Sequence, residues 1–195
     1  MTAQRKCKQP NLKLIQGGLQ QSTAYGSLEI VAAPENAPPF PVQATTREED
    51  TFLIMSPAAE STCAECHPIR LMAELEHFEP ETVGTVLVRK TRPVQFLAVV
   101  HDVNQEPACR EAWVEQAIQG VFHEADRLKL SALAMPLLAT RHGRIPLHSF
   151  ARLFGRALQN APLTTLEKIW LIAPLADNGI VIHALNEHLK KSAQN

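Results

Sequence analysis

The stretch Ser131–Phe154, SALAMPLLATRHGRIPLHSFARLF, sets the plan of the chain. Ala132–Leu138 is an apolar run too short for a helix of its own and closed by a polar turn, so it reads as a buried strand. A basic turn follows, made of Thr140, Arg141, His142, Gly143 and Arg144. Pro146 then suits the first turn of a helix whose inner face is Leu147, Phe150, Ala151, Phe154 and Leu158, spaced at helical intervals. The unit is strand, short basic turn, helix. Such a turn lies at the carboxyl end of a strand, beside helix N–H groups that favour an anion. Open α/β sheets present phosphate sites in this way, although the same pattern also serves as plain scaffold.

Working outward, Leu166–Pro174 predicts another buried strand and Ile180, Val181, Ala184, Leu185 and Leu189 a closing helix, capped by Asp177 or Asn178. Upstream, Trp113, Ala117, Ile118, Val121, Phe122, Ala125 and Leu128 mark a helix over 110–128. Gly84–Thr91 and Val94–Val100 are rich in β-formers and flank Arg92–Pro93, which predicts neighbouring strands. Pro68–His77 predicts a helix, and Phe52–Met55, FLIM, a short buried strand. Residues 34–50 hold four prolines between Pro34 and Pro41 and then TTREED, so they read as an exposed loop. Two apolar segments, LKLI within 11–21 and LEIVAA within 26–33, predict an early pair of strands. Alternating strands and helices in the second half give the expected class: a single α/β domain over residues 1–195, three-layer α/β/α, with a mixed, largely parallel sheet.

Composition narrows the function. The formal net charge is −1 and charged residues make up 20 % of the 195, so no global field draws the chain to nucleic acid or to an anionic membrane. Any anion site is local. The basic N-terminus lacks a following apolar segment and no run is long enough to span a bilayer, which predicts a cytoplasmic protein. Cys7, Cys63, Cys66 and Cys109 are irregularly spaced and read as free thiols. No nucleophile elbow, Walker loop or H-E-x-x-H string is present.

The order of elements and several local strings resemble the macro domain, a family of ADP-ribose-binding modules. Its phosphate turn runs roughly P-x-I-G/S-T-G-x-x-G-F/Y-P, and Pro136-Leu137-Leu138-Ala139-Thr140-Arg141-His142-Gly143-Arg144-Ile145-Pro146 keeps both prolines and the threonine in register. Val99-Val100-His101-Asp102-Val103 is similar to the family's V-I-H-x-V strand end, and Gly84 stands at about the family's distance before it. The resemblance covers roughly Phe52 to Leu189. It implies ligand contacts from Ser56, Ala58 and Ala59, aligned with the family's I-V-N-A-A-N loop, and from Ala139, Thr140, Arg141, His142, Gly143 and Arg144.

The departures are chemical. Ile54-Met55-Ser56-Pro57-Ala58-Ala59 carries neither family asparagine, and ESTCAECHP replaces the glycines after them. The early G-D-I-T string has no counterpart, and no stacking aromatic lies in Leu175–Gly179. Arg141 and Arg144 stand where the family has glycines that let backbone close over phosphate. Long cationic side chains there either bind phosphate by charge-assisted, forked hydrogen bonds or fill the cleft.

Cys63-Ala64-Glu65-Cys66-His67 matches the C-x-x-C-H form of haem attachment, and Cys63, Cys66 and His67 are also a zinc-type donor set lacking a fourth ligand. The leading expectation is two loop thiols and no resident cofactor, with zinc or haem as alternatives. The resemblance implies a binding module for ADP-ribose or a related nucleotide diphosphate, free or carried on a modified protein, without catalysis. Its rivals are an ADP-ribosyl hydrolase with a remodelled, metal-assisted site and an interaction domain that keeps only the fold.

Overall fold

Side chains alternate across a strand, so each strand here is sorted by which face its apolar residues supply. The structure, a computed structural model, describes residues 20–55 and 79–192. These residues build strands β1 (Gln21–Tyr25), β2 (Leu28–Ala33), β3 (Ala44–Asp50), β4 (Val86–Arg89), β5 (Val94–His101), β6 (Ala132–Pro136) and β7 (Lys168–Ile172). They also build helices α1 (Glu111–Arg127), α2 (Leu147–Asn160) and α3 (Asn178–Ser192). The strands form one mixed sheet in the order β1-β2-β7-β6-β3-β5-β4. Its interior pairs are parallel, and the two outer pairs, β1 with β2 and β4 with β5, are antiparallel. The α/β class and the largely parallel sheet are those the sequence predicts.

One face of the sheet contributes Ile30, Ala32, Phe96, Ala98, Val100, Leu133, Met135, Ile169 and Leu171 to the main core. All three described helices pack there, α1 against α2 and α2 against α3. Phe122 of α1 meets Phe154 of α2 edge-on at 5.5 Å between ring centres, and Phe150 stacks on Phe154 at 5.8 Å. Helices α2 and α3 lie close because Gly155 leaves room for the His188 ring, whose Cδ2 a side chain at position 155 would strike. On the opposite face Ala33, Ala134 and Trp170 form a smaller cluster covered by Phe40 and Val42. The Trp170 indole N–H is satisfied by the Ala33 carbonyl at 2.9 Å.

Three expectations are corrected. The early strand pair is not LKLI with LEIVAA: β1 is Gln21–Tyr25, turning through Gly26, at φ +60°, into β2 with Tyr25 opposite Leu28. Residues 12–15 lie outside the described residues. The proline-rich loop ends before Ala44, and residues 44–50, expected as the tail of an exposed loop, are a central strand. Its Ala44 and Thr46 are buried, and Glu49 and Asp50 are 0 % and 2 % exposed. FLIM, in turn, is not a strand. The Asp50 carboxylate accepts the Phe52 and Ile54 amides at 2.8 and 3.3 Å, Leu53 takes φ +58°, and Ile54 is 52 % exposed. An aspartate that captures amides two and four residues on makes a turn whatever the hydrophobicity of the segment. The helix predicted over Pro68–His77 lies outside the described residues.

Candidate functional site

Parallel strands β3, β5 and β6 deliver their carboxyl ends to one rim of the sheet. The turn after β6 occupies the middle of that rim. Thr140 closes it locally: its amide and hydroxyl both donate to the Leu137 carbonyl, at 3.1 and 2.7 Å. The Ile145 amide then donates to the Ala139 carbonyl at 3.0 Å, which ties off the loop as α2 begins. Two non-glycine residues in this loop, Ala139 (φ +61°) and Arg144 (φ +55°), are left-handed. That conformation costs an L-residue roughly 1–2 kcal/mol, so the fold imposes it. Arg144 thus keeps the backbone shape for which the family resemblance implied a glycine.

Gly143 is required by space. A side chain there would come to 2.7 Å from the Ala139 Cβ, 2.8 Å from Cys109 Sγ and 2.9 Å from the Ala139 carbonyl. Ala139 itself is buried and Thr140 half-buried, whereas Arg141, His142 and Arg144 are exposed. No ion pair involves these three among the described residues. Ser56, Ala58, Ala59, Cys63, Cys66 and His67 lie outside the described residues.

Beneath the turn is a cluster that sequence reasoning missed. Glu48, near the end of β3, places one carboxylate oxygen on His101 Nε2 at the end of β5. The other accepts the Ala139 amide at 2.8 Å. The two side chains are 11 % and 7 % exposed. His101 is therefore a satisfied rim histidine, and Glu48 bolts three strand ends together. The carboxylate-bearing strand end stands at Glu48-Glu49-Asp50, upstream of Ile54–Ala59, where the resemblance had aligned the family's loop. Only the β-branched pair Thr45–Thr46 hinted at a strand inside the charged string. Among the described residues no three His, Cys, Asp or Glu side chains converge as a metal site.

Cys109 packs beside this cluster. Burial pushes its thiol up to about 12, and the Glu48 charge adds to the effect. The folded chain holds that proton more tightly than the unfolded chain does, so the associated stability is intact below about pH 9 and drains away as pH rises toward 12. We expect Cys109 to stay unalkylated by iodoacetamide at pH 8 in the native protein and to react on unfolding. Peptide mapping by mass spectrometry checks this, and rapid native labelling would show the thiol to be accessible and ionisable.

Apolar groups share the rim. Ile54, Val103, Leu175 and Ile180 are each more than half exposed and follow β3, β5 and β7 or begin α3. No described helix is long and apolar enough to cross a membrane.

An open, mixed α/β sheet that gathers its loops at the parallel strand ends is an architecture whose ligand sites, where it has them, lie outside those ends. The particular fold is that of the macro domain. No family model and no curated protein sequence matches the chain, but solved structures do. A macrodomain of Oceanobacillus iheyensis with bound MES superimposes with a TM-score of 0.63 at 15 % identity, covering 88 % of this chain and 98 % of that one. The macro domain of ganglioside induced differentiation associated protein 2 gives 0.56 at 16 % identity over 82 % and 83 %. A Trypanosoma brucei macrodomain in complex with ADP gives 0.51 at 11 % identity over 82 % and 68 %. The Oceanobacillus domain is also known with ADP.

Proposed function

We propose that the chain is a cytoplasmic, non-catalytic binding module for an ADP-ribose-like nucleotide diphosphate, free or attached to a modified protein. The observation that carries this reading is the turn after β6. It keeps a left-handed backbone at Ala139 and Arg144 and presents Arg141, His142 and Arg144 to solvent at the strand ends. Guanidinium forks suit phosphate oxygens, and each well-made charged hydrogen bond is worth about 1.5–3 kcal/mol. The exposed Ile54, Val103, Leu175 and Ile180 supply apolar surface of the kind a base and ribose cover. Macrodomains of the same fold are known with ADP, which supports the ligand class.

Calorimetry with ADP-ribose tests the proposal. Micromolar binding is expected in the native chain, weakening roughly a hundredfold or more in Arg141→Ala/Arg144→Ala, since two such contacts are lost. Affinity also falls with added salt. Unchanged affinity in the double variant would remove the cationic turn from the site. One observation favours a second reading, a domain that keeps the fold without the ligand: the Ala139 amide is already occupied by Glu48. That reading expects no ADP-ribose binding in the same titration.

A further inference from the structure

A backbone amide at the tip of a parallel strand, in a left-handed turn, is a ready anion donor. At Ala139 that donor points at a carboxylate of the chain itself, 2.8 Å away. We propose that Glu48 is the specificity-determining residue of this site: its carboxylate is a built-in anion that fills the Ala139 amide and sets how tightly the turn holds a phosphate. The inference rests on the nucleotide reading above and adds to it which group limits affinity, and why.

The geometry leaves Glu48 little freedom to withdraw. Its other oxygen is held by His101, its residue pairs with Ala98 of β5, and its side chain is only 11 % exposed. Cys109 adjoins the cluster and adds no positive charge. A ligand phosphate approaching the turn therefore meets exposed cations at Arg141 and Arg144 and a fixed negative charge behind them. In a partly dry site that charge acts at close range with little screening. The outer cations attract while the buried carboxylate repels, so the net site favours a ligand that puts one phosphate on the arginines and none on the amide.

The test is titration of ADP-ribose into the native chain, Glu48→Gln and Glu48→Ala, with the Ala139 amide followed by two-dimensional NMR. Glu48→Gln keeps the shape and an oxygen acceptor, so it remains informative if Glu48→Ala unfolds. At least tenfold tighter binding in Glu48→Gln is expected. In Glu48→Ala the Ala139 amide resonance should move on ADP-ribose addition, whereas in the native chain it stays in place. Binding by the variants alone would equally support a limiting role for Glu48. Native binding that is unchanged or weakened in both variants would overturn the inference and leave the nucleotide reading standing. Absence of binding in all three proteins would overturn both.

Discussion

Phe154→Ala is expected to cost about 3–5 kcal/mol of folding stability, the range for truncating a fully buried aromatic. Phe154 is 0 % exposed and lies where α1 and α2 meet, touching Phe122 edge-on and Phe150 face to face. Those ring pairs add to the burial itself. Helices α1 and α2 also bury Ile118, Val121, Leu153 and Leu158 in the same core. Arg152–Glu111 and Arg156–Glu115 bridge them, but the arginines are 39 % and 49 % exposed and such pairs contribute little. Urea denaturation measures the effect, with Phe154→Leu as a milder companion. A loss below about 1.5 kcal/mol would mean that the two helices do not share this aromatic seam.

His101→Ala is the second large effect. The substitution removes a buried ring and strands one oxygen of the Glu48 carboxylate in a site only 11 % exposed. Lost volume and an unpaired charged acceptor together amount to roughly 2–4 kcal/mol. Adding Glu48→Gln should restore part of the loss, because a neutral amide tolerates burial better than a carboxylate without its partner. Thermal melts of the two single variants and the double one form a closed cycle. A double variant no more stable than His101→Ala would show that the carboxylate is not the stranded group.

Much of the architecture is legible in the sequence because most elements announce themselves by period. Helix α1 is read from the recurrence of Ala117, Ile118, Val121, Phe122 and Ala125, all of them buried. Strand β6, the turn and α2 follow from one apolar run, one basic string and one amphipathic stripe. Strand β3 defeats that method. Arg47, Glu48, Glu49 and Asp50 look like a solvated face, yet the last two are buried at the middle of the sheet. Asp50 is met locally by the Phe52 and Ile54 amides, whereas Glu48 is met by the Ala139 amide and His101, partners distant in sequence that no local pattern reveals. The same blind spot hid half the site: the exposed cations of the turn are local and visible, and the carboxylate beneath them is not. FLIM erred the opposite way, since its apolar residues are bent into a turn by the aspartate that precedes them.

The strand order carries a consequence for synthesis. Strand β2 is made early, but its parallel neighbour β7 begins only at Lys168, and β3 waits for β5 and β6. A growing polypeptide therefore carries Ile30 and Ala32 on a lone β1–β2 hairpin until β7 has left the ribosome. Pairing across such separations is slow and leaves bare edges in the meantime. Chains cut short before Ile172 should be clients of holding chaperones, and the domain should mature only after β7 has emerged.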